Sequence, residues 1–157
     1  MHRLIAPVLL AGTVYAQVAP VSIAANNNLQ ALEQSVYQQI NQYRRSRGLP
    51  VLAWDERISQ QARQHSQSMA NGSVPFSHNG FEERLRAIAS QVSYNNAAEN
   101  VAFNQGFANP DNQAVQGWIT SLGHRRNLEG QFNLTGIGVA QNSQGQYYFT
   151  QIFVAGR

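Results

Sequence analysis

The chain has 157 residues, 43% of them hydrophobic, a formal net charge of +3 and no cysteine. That length and apolar content suit one domain with one substantial core. The small charge, and the lack of interleaved basic and aromatic residues, exclude a nucleic-acid-binding surface. Without disulfides an exported domain must hold together by packing alone, which leans toward a bacterial export route.

The N-terminus, MHRLIAPVLLAGTVYAQ, has a basic start, an apolar run from Leu4 to Val14 and small or apolar residues ahead of Gln17. It reads as a secretory signal peptide over residues 1–16, too short for a stable membrane anchor. The chain is therefore expected to be secreted or periplasmic. Residues 17–28, QVAPVSIAANNN, show no amphipathic period and read as a flexible lead-in, so the domain is expected over 29–157.

Leu29, Leu32, Val36, Ile40 and Tyr43 recur at helical spacing, and Gly48 with Pro50 closes that helix. Arg44, Arg45 and Arg47 gather at its end, where solvated positive charge would oppose the helix dipole. LPVLAW then leads to Asp55, a suitable N-cap for a second helix. There Ile58, Ala62, His65 and Met69 share one face, so His65 is expected to be a core histidine with its hydrogen bonds satisfied. Asn71-Gly72 marks a turn. His78 precedes a short helix capped by Ser77 or Asn79, with Phe81, Leu85 and Ile88 facing inward.

AAENVAF reads as an extended segment, and Glu99 inside it needs a partner, because a lone buried carboxylate is costly. From Asp111 to Leu122 the apolar residues Ala114, Val115, Trp118, Ile119 and Leu122 define another helix. Gly123 is expected to end it in the left-handed conformation, leaving His124 at a sharp corner between helix and sheet. Ile137 to Ala140 and Tyr147 to Val154 form an antiparallel hairpin, with Tyr148, Thr150, Ile152 and Val154 on one face. Helical segments followed by a late hairpin indicate an α+β domain with helices packed on an antiparallel sheet. Trp54 and Trp118 are expected in the core.

FSHNGFEERL, AAENVA, GWITSLGHRRNL, GIGVA and YYFTQIFV, in that order, resemble the CAP superfamily of cysteine-rich secretory, antigen 5 and pathogenesis-related proteins. They look most like its compact, cysteine-free bacterial branch, the SCP domain. The resemblance runs from about Leu29 to Val154. It implies a secreted three-layer α-β-α sandwich with a central antiparallel sheet and a cleft holding two histidines and two acids. By motif, His78 and His124 match the histidines and Glu99 the first acid. The second acid's position is Ser121 here, so one carboxylate is missing.

Two imidazoles and a carboxylate suit a weakly bound zinc or another divalent cation, with His78, His124 and Glu99 as ligands, or with Glu99 orienting a histidine. The same groups could instead simply hydrogen-bond and tie loops to the sheet. Arg84, Arg125, Arg126 and Asn127 rim these motifs, and Arg125 and Asn127 are expected to bond exposed carbonyls near the helix end. The first expectation is a monomeric extracellular binding or interaction module, its ligand unknown but drawn from cell wall or lipid. A metal-assisted hydrolase acting on peptide or cell wall is the second; no confident catalytic residue emerges, since Ser77 and Ser121 lack a nucleophile elbow. Sterol or lipid binding, implied by some relatives, is the third.

Overall fold

The computed structural model describes residues 21–157, with side chains from Ala25 onward. The signal peptide read at residues 1–16 lies outside them. The chain runs α1 (Val21–Ser46), β1 (Ala53–Trp54), α2 (Glu56–Ala70), α3 (Phe81–Ala89), β2 (Tyr94–Gln105), α4 (Pro110–Thr120), α5 (Leu122–Leu128), β3 (Leu134–Gln141) and β4 (Gln146–Gly156). The helix α1 begins at Val21, inside the segment read as a lead-in.

The strands form one sheet in the order β1-β3-β4-β2. β3 and β4 pair antiparallel around the turn at 142–145, β2 pairs antiparallel with β4, and the short β1 lies parallel to β3. Both faces of the sheet are covered. Phe149 and Phe153 of β4 pack with Val36 and Ile40 of α1 and Val115 and Trp118 of α4. The alternate residues Ile152 and Val154 pack with Ile58 and Ala62 of α2 and Ile88 near the end of α3. Because side chains alternate along a strand, this split makes a three-layer α-β-α sandwich.

One contact explains the GIGVA segment. α2 lies directly on β3, and a Cβ on Gly136 or Gly138 would come within 2.2 Å of the Ser59 backbone nitrogen or 2.1 Å of that of Arg63. Only glycine leaves room for that approach. α2 itself starts as expected, with the Asp55 side chain accepting the Arg57 N–H.

Three local expectations are corrected. Gly123 does not end a helix: α4 stops at Thr120, Ser121 takes an extended conformation, and α5 continues through Gly123 and His124. The break falls at Ser121 because α5 is bonded to β2 and drives Leu128 into the core, which sets a new helix direction. Neither Ser77 nor Asn79 caps α3; Gly80 does, in the left-handed conformation at φ 78°, with no side-chain cap bond. Arg44 is not solvated. It is 1% exposed and donates to the carbonyls of Pro50, Leu128, Gly130 and Phe132, joining α1 to the loop after α5. Arg45 and Arg47 are exposed, as a charged helix end should be.

Candidate functional site

Glu99 lies opposite Ile152 across the β2–β4 pair, so its side chain points to the α2–α3 face. Its partner is Arg84. Spacing with Phe81 and Ile88 puts Arg84 on the inward stripe of α3, where it is 8% exposed. The guanidinium donates from Nε to Glu99 Oε2 and from Nη2 to Oε1, both at 2.8 Å. This forked geometry neutralises a carboxylate whose side chain is 1% exposed. Arg84 also donates to the carbonyl of Asn79 and sits 5.8 Å from the centre of the Phe81 ring.

His78 joins the same cluster. Its Nδ1 lies 2.9 Å from Glu99 Oε1. The carboxylate only accepts, so Nδ1 carries the proton and Nε2 is turned outward on an exposed ring. His65, below, is the core histidine its helical face predicts. Its Nε2 is 2.8 Å from the Ser77 carbonyl and its Nδ1 is 3.1 Å from Arg84 Nη1. A carbonyl can only accept and a guanidinium only donate, so the neutral Nε2–H tautomer is selected. Burial lowers the pKa of His65, and the facing Arg84 charge lowers it further.

His124 approaches from the other side of the sheet, on α5. Its main-chain carbonyl accepts from Asn100 Nδ2, while Asn127 Nδ2 donates to Asn100 Oδ1 at 2.8 Å and to the Glu99 carbonyl at 3.2 Å. Asn127 thus bonds a strand carbonyl, and Arg125 donates to the Ile119 carbonyl near the end of α4. The ring Nδ1 of His124 is buried and has no hydrogen-bond partner among the described residues. Burial, then the charge of His78, lowers its pKa.

His78 and Glu99 are therefore in contact, and His124 faces a groove rather than the carboxylate. The groove holds about 560 Å³ along the outer edge of β2, walled by Phe76, Phe103, Phe107, Trp118, Ser121 and His124 among others. Phe76, Phe103 and Phe107 are exposed, and a chain of aromatic contacts runs from Phe76 through Phe103 to Tyr148. Trp118 is buried and donates from Nε1 to the Val101 carbonyl. Trp54 is half-buried and packs edge-on against Tyr37.

Among the described residues no three His, Cys, Asp or Glu side chains are grouped to hold a metal ion. Both Glu99 oxygens are engaged by Arg84 and His78, which leaves the two imidazoles as the more open donors of the expected set. Nor does a hydrogen bond join the hydroxyl of either candidate serine to an imidazole among the described residues. Ser77 Oγ donates to the Pro75 carbonyl, and Ser121 lies at the α4–α5 break.

A larger groove, of about 710 Å³, lies between α1 and α2 over Val139. Its charged floor is internally satisfied. Arg63 forks onto Glu33, whose Oε1 also accepts the Val139 N–H, and Ser59 Oγ accepts the Ile137 N–H. These side chains close the free edge of β3. Reasoning from sequence missed Arg84 as the acid's main partner and missed Asn100 and Asn104; the inward spacing of Arg84 on α3 was the one signal that could have found it.

Residues 37–153 match the family described as CAP, the cysteine-rich secretory protein family. The chain is 31% identical over 121 residues to the Bacillus subtilis protein YkwD, covering 72% of this chain and 44% of that protein. It is 30% identical to an extracellular SCP-domain protein of Bacillus anthracis, with a TM-score of 0.66 over 89% of this chain and 45% of that one. A cysteine-rich secretory protein of Staphylococcus aureus shares the fold at 23% identity and a TM-score of 0.63, covering 80% of this chain and 38% of that one. The chain thus spans less than half the length of each. Helices on both faces of a mainly antiparallel sheet, the His78 and Glu99 motifs in contact, and a family match over most of the chain agree: the chain belongs to the cysteine-rich secretory protein (CAP) family.

Proposed function

We propose that the chain is an extracellular binding module whose ligand occupies the groove along β2. The observation that carries this reading is the make-up of the groove wall. Exposed Phe76, Phe103 and Phe107 stand beside two buried polar atoms, His124 Nδ1 and Asn104 Oδ1, that have no partner among the described residues. A concave apolar surface with a few convergent polar groups is the usual form of a ligand site. The extracellular location is supported by the Bacillus anthracis relative. Among the described residues no helix is long and apolar enough to cross a membrane.

Gly117 offers a clean test. It lies on the exposed side of α4, lines the groove, and a Cβ there meets nothing within 4 Å. Gly117→Trp should fill the groove without disturbing the core. Wild type and variant are compared against a displayed random peptide library, palmitate and cholesterol. Binding by one of these classes, lost tenfold or more in Gly117→Trp, supports the reading; no binding, or equal binding by the variant, ends it.

Zinc is a second reading, supported by the outward Nε2 of His78 and the unpartnered Nδ1 of His124. Two imidazoles would hold it weakly. Titration calorimetry with zinc should then show heat that disappears in a His78→Ala/His124→Ala variant, and absence of heat with wild type removes the cation. A hydrolase is the reading the site supports least, because among the described residues neither the Ser77 nor the Ser121 hydroxyl is hydrogen-bonded to an imidazole that could act as its base.

A further inference from the structure

The outer edge of β2 is unfinished. The carbonyls of Glu99 and Val101 point away from β4, since Asn127 Nδ2 and Trp118 Nε1 reach them from outside the sheet. Peptide groups alternate along an antiparallel strand, so the N–H of Val101 and both backbone groups of Phe103 and Gln105 face the same way. Among the described residues nothing pairs with them. They open into the groove described above, beside the unpartnered Asn104 Oδ1, on a residue 7% exposed. β3 has its free edge closed by Glu33 and Ser59, whereas this stretch of β2 is left open.

The chemistry of that wall selects an occupant. Alternating donors and acceptors at strand spacing match a peptide main chain, whereas an acyl chain or sterol ring satisfies none of them. Among the described residues no Asp, Glu or Arg lines the groove, and burial keeps His124 toward its neutral form, so the occupant carries no charge where it lies. Phe76 and Phe103 on one face, and Ala114, Trp118 and Phe107 on the other, would receive alternate apolar side chains.

We propose that an uncharged extended peptide adds as a fifth strand to β2 from Val101 to Gln105, a stretch that takes roughly five ligand residues at about 3.4 Å each. This rests on the groove being the binding site and names what fills it. Trp118, which covers the Val101 carbonyl, sets the inner limit of the added strand.

The test alters the peptide first and uses Gly117→Trp as the control for the groove. A random nonapeptide library is selected on the wild-type chain, and the best binder is resynthesised with single N-methyl groups along its backbone. Methylation of every second amide, those facing β2, should weaken binding at least tenfold, while the intervening positions stay within about twofold of the parent. Hydrogen exchange at the Val101, Phe103 and Gln105 amides should slow on binding. If binding is lost in Gly117→Trp yet all methylated peptides bind alike and those amides stay unprotected, strand addition fails while the groove reading stands. If selected peptides bind Gly117→Trp as well as wild type, both fail. If the library yields no binder but palmitate or cholesterol binds and is lost in Gly117→Trp, the occupant is a lipid and the peptide proposal is overturned.

Discussion

Replacing Arg84 by methionine isolates the interaction that holds the site together. The Glu99 side chain is 1% exposed and that of Arg84 9%, so methionine would leave a carboxylate in a dry site with only the His78 N–H beside it. Removing one member of such a buried pair typically destabilises by about 3–5 kcal/mol. The substitution also frees the Asn79 carbonyl and the Nδ1 of His65, two more buried or half-buried acceptors. For a domain of this size that corresponds to a fall in Tm of roughly 10–15 °C. Thermal unfolding followed by circular dichroism, with urea titration at fixed temperature, reads it directly. The companion Arg84→Met/Glu99→Leu removes both charges, and because the paired charges were desolvated together it should recover most of the loss. A fall of less than about 3 °C in the single variant, or a double variant as unstable as the sum of the two singles, would refute the claim that Glu99 depends on Arg84.

Two further predictions follow from the packing. His65 has its pKa lowered from 6.5 by burial and by Arg84, so the unfolded chain binds a proton before the folded one does. Its contribution is complete above about pH 6.5 and is lost as pH falls below it, at no more than about 1.4 kcal/mol per pH unit. His65→Gln should flatten the stability profile between pH 7 and pH 5 in urea titrations, and an unchanged slope would show that His65 is not the group responsible. Gly138→Ala places a Cβ 2.1 Å from the Arg63 backbone nitrogen, and backbone cannot step aside as a side chain can. Expected destabilisation is about 3 kcal/mol, the upper part of the overpacking range; a Tm within 2 °C of wild type would mean that α2 can lift off β3 freely.

The parts of this protein legible in its sequence are those set by local period and by single-residue chemistry. The face shared by Ile58, Ala62, His65 and Met69 and the Asp55 cap each follow from neighbours a few positions away. So does the hairpin with Thr150 and Ile152 on one side. The need of Glu99 for a partner was equally plain, because the cost of burying a carboxylate does not depend on the fold. What answered that need was not local. Arg84 and Arg44 look alike in a charge count, yet one forks onto an acid and the other threads between carbonyls more than 80 positions away. The close approach of α2 over Gly136 and Gly138, the restart of the chain at Ser121 and the open edge of β2 likewise exist only once distant segments are stacked. Periodicity says which side of an element faces inward; only the assembled layers determine what it meets there, because burial and hydrogen-bond satisfaction belong to pairs of surfaces and not to either one alone.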